Sequence, residues 1–204
     1  MGILVAMLPE TLTIALKEWA VVQRALLENH QIVLLRKGGL IEETGDFDLK
    51  AREFLLLPTY IHETERAGDL QPRFINWLRE EEAGKPVPSM LRFEAACEVT
   101  SIAQVTDREC FKNLCAQHVY SDQFIDGRYE WEPYKPVFAL ICRAYRLAAP
   151  VMVPFESEYA GCRSWIELTK PISTIAAQPV IDSDEEYGRR VEWTQRVLSG
   201  IVMS

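Results

Sequence analysis

The sequence predicts an α+β fold, a curled mixed β-sheet flanked by helices and finished by a C-terminal helix. Three observations carry this. Helical and strand-like segments neither alternate strictly nor cluster apart, which argues against a doubly wound parallel sheet. Residues 137–147 (VFALICRAYRL) form the strongest strand pattern in the chain. Ser183-Asp184-Glu185-Glu186 has the form of a capping box, which opens a helix by satisfying orphan N–H groups. The 204 residues, 48% hydrophobic and 25% charged, suit one domain with a real core.

The elements follow in order. Residues 10–29 predict a helix, because Leu12, Leu16, Trp19, Ala20, Leu26 and Leu27 share one face, with Gln23 as the polar interruption. The run Ile32-Val33-Leu34-Leu35, ending at Arg36-Lys37-Gly38-Gly39, predicts a short buried strand. Residues 42–50 read as a polar loop. Residues 53–61 (EFLLLPTYI) are a second strand, where Pro58 marks an edge or a bend. Residues 71–83 (QPRFINWLREEEA) have helical spacing and stop at Gly84, Pro86 and Pro88. Leu91, Phe93, Ala95, Cys97 and Val99 alternate as a half-buried strand does. Thr106-Asp107-Arg108-Glu109 matches a capping box for a helix through Leu114 and Cys115. Residues 126–136, rich in Tyr, Trp and Pro, read as a loop. After the strong strand, a turn holding Pro150 and Pro154 leads to a short strand at 165–168. The last helix carries Tyr187, Val191, Thr194, Val197 and Leu198. This order gives a single domain over 1–180 and a C-terminal helical extension over 181–204.

Composition excludes several function classes. With 22 Lys+Arg against 30 Asp+Glu the net charge is −8, which opposes a broad non-specific grip on DNA. No stretch approaches the roughly 18 apolar residues that span a bilayer, so no membrane association is expected. The start, MGILVAMLPETL, lacks a basic n-region, and Ala6 stands where a myristoylation signal has Ser or Thr. The five cysteines, Cys97, Cys110, Cys115, Cys142 and Cys162, are odd in number and sit in apolar runs. They read as reduced thiols in a cytoplasmic protein.

Candidate sites differ in weight. Cys110, Cys115 and His118 lie close in sequence, but five helical residues turn about 500°, so the two thiols diverge, and no metal or cofactor is expected. No nucleophile elbow or phosphate-binding loop is present. His62, past the second strand and beside Glu63 and Glu65, has the character of an acid/base group or a solvated loop residue. Asp46-Phe47-Asp48-Leu49-Lys50 contains a D-x-K triplet, as a metal-dependent nuclease would use, within a polar loop. The stronger set is basic and aromatic: Arg36 and Lys37 at a strand end, Arg128 and Trp131 in the long loop, Arg143 on the strong strand, Arg163 and Trp165 near Gly161. Arginine and lysine meet phosphates, and aromatic faces stack unpaired bases.

Two resemblances extend this reading. Residues 19–36, a helix then a strand ending at Arg36, resemble the opening of an ASCH domain in the PUA-like superfamily, where a G-x-K-x-x-E-x-R-like segment enters a strand lining a cleft. FEAACEVTSIAQVTD and KPVFALICRAYRLAAP resemble later strands of that superfamily. The resemblance implies a small PUA-like barrel that binds RNA or modified nucleobases; some ASCH members hydrolyse a modified pyrimidine. Arg36 is present, but Gln31 stands at the lysine position and Leu34 at the glutamate position, so binding carries over rather than hydrolysis. ALKEWAVVQRALLENHQIVLLRKGGL, AREFLLLPTY and YAGCRSWIEL together resemble a domain-of-unknown-function family of bacteria and archaea, common in cyanobacteria and sometimes linked to restriction-modification components.

The expectation is therefore a cytoplasmic, PUA-like module that binds RNA, DNA or a nucleotide. Arg36 and Lys37 would supply charge, and Arg128 of the long loop belongs to the same binding set. Arg143 and Arg163 would contact phosphate or a base edge, and Trp131 or Trp165 would stack. Two alternatives remain. One is a metal-dependent nuclease or hydrolase using Glu53, His62, Asp48 and Lys50. The other is a protein–protein adaptor acting through the acidic surface and the C-terminal helix.

Overall fold

The computed structural model describes residues 8–37, 49–60, 64–161 and 163–200. Gly38-Gly39, the loop through Asp48, Ile61, His62, Glu63 and Cys162 lie outside the described residues. Among the described residues the strands are β1 (Thr11–Trp19), β2 (Val33–Lys37), β3 (Glu53–Thr59), β4 (Met90–Gln104), β5 (Val137–Pro154), β6 (Trp165–Ser173) and β7 (Gln178–Pro179). The helices are α1 (Ala20–Leu27), α2 (Ile75–Ala83), α3 (Arg108–Lys112), α4 (Asp122–Glu130) and α5 (Asp184–Leu198).

The helix expected over 10–29 divides into β1 and α1. The apolar positions Leu12, Ala15 and Leu16 fit either period, and the sheet decides between them. β1 is an interior strand, parallel to β3 and antiparallel to β6. Two ladders outweigh a helical propensity that Thr11, Thr13 and Ile14 already weaken. Pro58 does sit in β3, but beyond the last pairing with β4, Leu56 opposite Ala95, where its missing N–H leaves no gap in that ladder.

The sheet corrects the expected curled sheet or barrel. Its strands run in the order β2-β5-β4-β3-β1-β6, with β7 beside β5. A barrel would pair β2 with β6, and among the described residues no such ladder forms. The sheet is open, with an edge at each end. The β6 edge is unsuited to closure: Thr169, Lys170 and Pro171 are all exposed there, and proline cannot donate to a ladder. Beyond β2, the side of β5 is taken at Tyr145 and Arg146 by β7. The mixed α+β architecture with a C-terminal helix stands.

Among the described residues the buried apolar side chains fall into two clusters, and adjacent strand residues divide between them as a period of two requires. Leu16, Phe54, Leu56, Ala95 and Cys97 face the larger cluster, with Leu26 of α1, Phe111 of α3, Phe124 of α4 and Tyr187 of α5. Ala15, Leu55, Leu57, Ala96 and Tyr159 face the smaller one.

Other boundaries moved for local reasons. Residues 122–130, read mostly as loop, are α4, whose first turn is closed by Ser121 Oγ accepting from Phe124 N at 3.2 Å. The cap of α3 is Asp107, not Thr106; its carboxylate accepts from Glu109 N at 2.9 Å. β5 continues past Pro150 to Pro154, paired with β4 from Met90 onward. The second capping site holds: Ser183 Oγ accepts from Glu186 N at 3.2 Å and opens α5. α5 is tied to the sheet by a 2.7 Å hydrogen bond between Thr100 Oγ1 and Tyr187 Oη.

Candidate functional site

The parallel strands β1 and β3 finish side by side, with Glu18 opposite Pro58 and Trp19 opposite Thr59. β1 passes directly into α1, with Trp19 as an extended N-cap residue. The C-terminal ends of parallel strands are where open sheets commonly receive ligands. Here they carry a half-buried basic corner.

Glu18 is its anchor. The residue is only 7% exposed. One carboxylate oxygen accepts from Arg36 Nη2 at 2.6 Å, and the other accepts from Trp19 N at 2.8 Å. Strands β1 and β2 are not ladder partners; Arg36 joins them, through this ion pair and a longer hydrogen bond from Nη2 to Lys17 O at 3.4 Å. Arg36 Nε is buried and has no hydrogen-bond partner among the described residues. Next along β2, buried Lys37 donates from Nζ to Tyr129 O of α4 at 3.2 Å. Burial lowers its pKa, helped by Arg128 and opposed by Glu132.

Arg128 comes to the same corner from α4. Its guanidinium carbon lies 5.0 Å from the Phe124 ring centroid. Its Nε is buried, and among the described residues no hydrogen bond or ion pair reaches the side chain. Burial pushes its pKa below the usual arginine range; Arg36 and Arg66 add repulsion, while Tyr120 and Glu18 oppose the shift. Arg66, on the 3-10 turn Thr64–Asp69, lies 5.2 Å from the Trp19 ring and 5.9 Å from Phe124, with Asp69 at 2.5 Å. The floor is aromatic: Trp19 meets Phe124 edge-on at 5.2 Å, and Phe124 stacks on Tyr120 at 4.8 Å.

The structure thus brings Arg36, Lys37 and Arg128 together. The other sequence candidates lie elsewhere. Arg143 is buried beneath α5, with Nη1 2.6 Å from Asp184 and Nη2 donating to Ile181 O at 3.2 Å. Arg163 is exposed beside the Gly161 turn, which Lys17 Nζ holds to β1 through Tyr159 O and Gly161 O at 2.7 and 2.9 Å. Trp165 packs edge-on against Phe54 at 5.1 Å. Trp131 is exposed just past α4. Sequence reasoning missed Glu18, Arg66, Tyr120 and Phe124 as site residues. The Ser121 cap was the one readable signal for α4, and hence for Phe124 and Arg128 sharing a helix.

Residues of the alternative readings are dispersed or undescribed. Lys50 Nζ lies 3.7 Å from Glu167, while Asp48 and His62 fall outside the described residues. Among the described residues no group of three or more His, Cys, Asp or Glu is placed to hold a metal ion. His118 is buried on Phe111, its Nε2 donating to Phe111 O at 3.1 Å. Burial lowers its pKa to about 4. Among these residues no helix is long and apolar enough to cross a membrane.

A family model described as a domain of unknown function, DUF1802, matches residues 15–192. The chain belongs to the DUF1802 family. No curated protein matches this DUF1802 chain. Among solved structures it is similar to the ASCH protein of Zymomonas mobilis, at 12% identity over 88% of this chain and 93% of that one, with a TM-score of 0.44. Two point mutants of the same protein are also similar. The serine-to-alanine mutant has 13% identity over 91% of this chain and 99% of that one, with a TM-score of 0.44. The tyrosine-to-phenylalanine mutant has 14% identity over 88% and 96%, with a TM-score of 0.43.

Proposed function

We propose that the basic corner of this DUF1802 protein binds the phosphate of a nucleotide or nucleic-acid strand. The observation that supports this most directly is Arg128. Arg128 is half-buried with its Nε enclosed and unpaired among the described residues, and a cation kept in this state at a surface is suited to meet an anion. Four cations, Arg36, Lys37, Arg66 and Arg128, gather around three carboxylates, Glu18, Asp69 and Glu132. The corner is therefore locally positive on a chain of net charge −8. Such a focus attracts an anion while the rest of the surface repels a long duplex. The planar fork of Arg128 suits two phosphate oxygens. Glu18 holds Arg36 in place.

Calorimetric titration with adenosine monophosphate and with inorganic phosphate tests the reading. Wild-type protein is expected to bind both, the nucleotide more tightly, and Arg128→Met to lose at least ten-fold in affinity for each. Equal affinities in the two proteins would reject Arg128 as a phosphate ligand.

A further inference from the structure

We infer that the turn from Trp131 to Lys135 is a stacking ledge for an unpaired base next to the phosphate corner, which makes the ligand a single-stranded nucleic acid. The inference rests on the proposed function above and deepens it. Trp131 and Tyr134 are 54% and 77% exposed, unusual for two large rings so close in sequence. They are nonetheless held in place. Lys135 N donates to Glu132 O at 2.8 Å, closing the turn. Glu132 adopts a φ of 45°, a left-handed conformation that disfavours side-chain-bearing residues and persists only where the surroundings impose it. Its carboxylate accepts from Tyr134 Oη at 2.9 Å and from Lys135 Nζ at 3.0 Å. Lys135 Nζ in turn lies 6.0 Å from the Trp131 ring and 5.9 Å from the Tyr134 ring. The rings are thus fixed by hydrogen bonds and cation–π contacts while their surfaces stay open to solvent.

The ledge continues the corner. Trp131 N donates to Gly127 O at 3.0 Å, which caps α4 and places Trp131 three residues, about 4.5 Å along the axis, beyond Arg128. Lys37 bridges the two, held at Tyr129 O between Arg128 and Glu132. A strand with its phosphate on Arg128 would bring a neighbouring base over these rings. A duplex offers no free base face there, and a mononucleotide fills the corner alone. Glu132 answers the charge of Lys135, so the ledge would act by stacking, whereas the corner acts by charge. The two contributions therefore separate by salt dependence.

The test uses the full chain, a fluorescein-labelled ten-nucleotide adenine RNA and adenosine monophosphate, at several salt concentrations. For the double variant Trp131→Ala/Tyr134→Ala, affinity for the decamer is expected to fall roughly 5- to 150-fold, the range for one stacked base. Its salt slope and its affinity for the mononucleotide are expected to stay unchanged. Arg128→Met is expected to weaken both ligands and lower the salt slope by about one. Both altered rings are exposed, so the fold should persist, which the circular-dichroism melt checks. Decamer affinity within two-fold of wild type in the double variant overturns the ledge. So does wild-type protein that binds the mononucleotide no more weakly than the decamer. Failure of wild type to bind either ligand overturns the corner and the ledge together.

Discussion

Replacing Arg128 and replacing Arg36 should move stability in opposite directions, although both are arginines of one corner. Arg128→Met keeps the aliphatic stem and removes the guanidinium. The gain comes from the buried Nε, which has no partner among the described residues; leaving such a group unpaired costs about 1–3 kcal/mol. The loss is the 5.0 Å contact with Phe124, about 0.5–1 kcal/mol for a cation over a ring. The net expectation is about 1 kcal/mol of added stability, or roughly 2–4 °C in Tm for a chain of this size. Arg36→Met instead strands Glu18, a carboxylate 7% exposed that would keep, among the described residues, only the Trp19 N–H as a hydrogen-bond donor. Breaking a buried pair from one side costs about 3–5 kcal/mol. Replacing both members, Glu18→Leu with Arg36→Met, should recover much of that loss. Urea denaturation at neutral pH, with Tm from circular dichroism, reads all three variants. A fall in the Arg128→Met midpoint comparable to that of Arg36→Met would refute the reasoning, because Arg128 would then have a structural partner.

Further expectations concern the body of the fold. His118 is neutral when folded, with a pKa of about 4 against about 6.5 when unfolded. The unfolded chain takes up the proton first, so stability is full above pH 6.5 and declines as pH falls to 4, by about 3 kcal/mol in all. His118→Gln should flatten that window, and parallel pH curves for the two proteins would contradict the assignment. Arg143→Met should loosen α5 by about 2 kcal/mol, since it removes charged hydrogen bonds to Asp184 and Ile181. The folded variant should bind nucleotide as wild type does, and a loss of affinity without loss of stability would bring Arg143 back to the site. Ser183→Ala should cost about 1 kcal/mol through the lost cap of α5. An unchanged urea midpoint would show that this hydrogen bond adds nothing.

Much of the fold was legible where one period dominates. α2 and α5 carry clear helical stripes, and Ser183 marks the start of α5. The alternation read over Leu91 to Val99 is broken in β4 by bulges at Phe93/Ala95 and Val99/Ser101, so that Phe93 turns to the smaller cluster and Ala95, Cys97 and Val99 to the larger one. β1 was not legible because Leu12, Leu16 and Trp19 satisfy a helical stripe, while the reason for a strand lies in distant residues: Leu55 to Thr59 on one side and Trp165 to Ser173 on the other. α4 was obscured by Gly127 and by the Tyr, Trp and Pro that follow it. The openness of the sheet was hidden for a similar reason, since strand order depends on which edges pair. At the candidate site, Arg36, Lys37 and Arg128 could be singled out as residue types near chain turns. Their joint arrangement could not. Glu18 and Arg36 are 18 residues apart and meet across strands that share no ladder. Arg66 and Phe124 come from separate segments that only the tertiary fold brings to Trp19.

The most direct measurement is fluorescence anisotropy of a labelled single-stranded RNA and of a duplex DNA, at roughly 50 and 200 mM salt, with wild-type and Arg128→Met protein. The account predicts salt-dependent binding of the single strand in preference to the duplex, weakened at least ten-fold by Arg128→Met. Indifference to the substitution, or no binding of the single strand at either salt concentration, would contradict it.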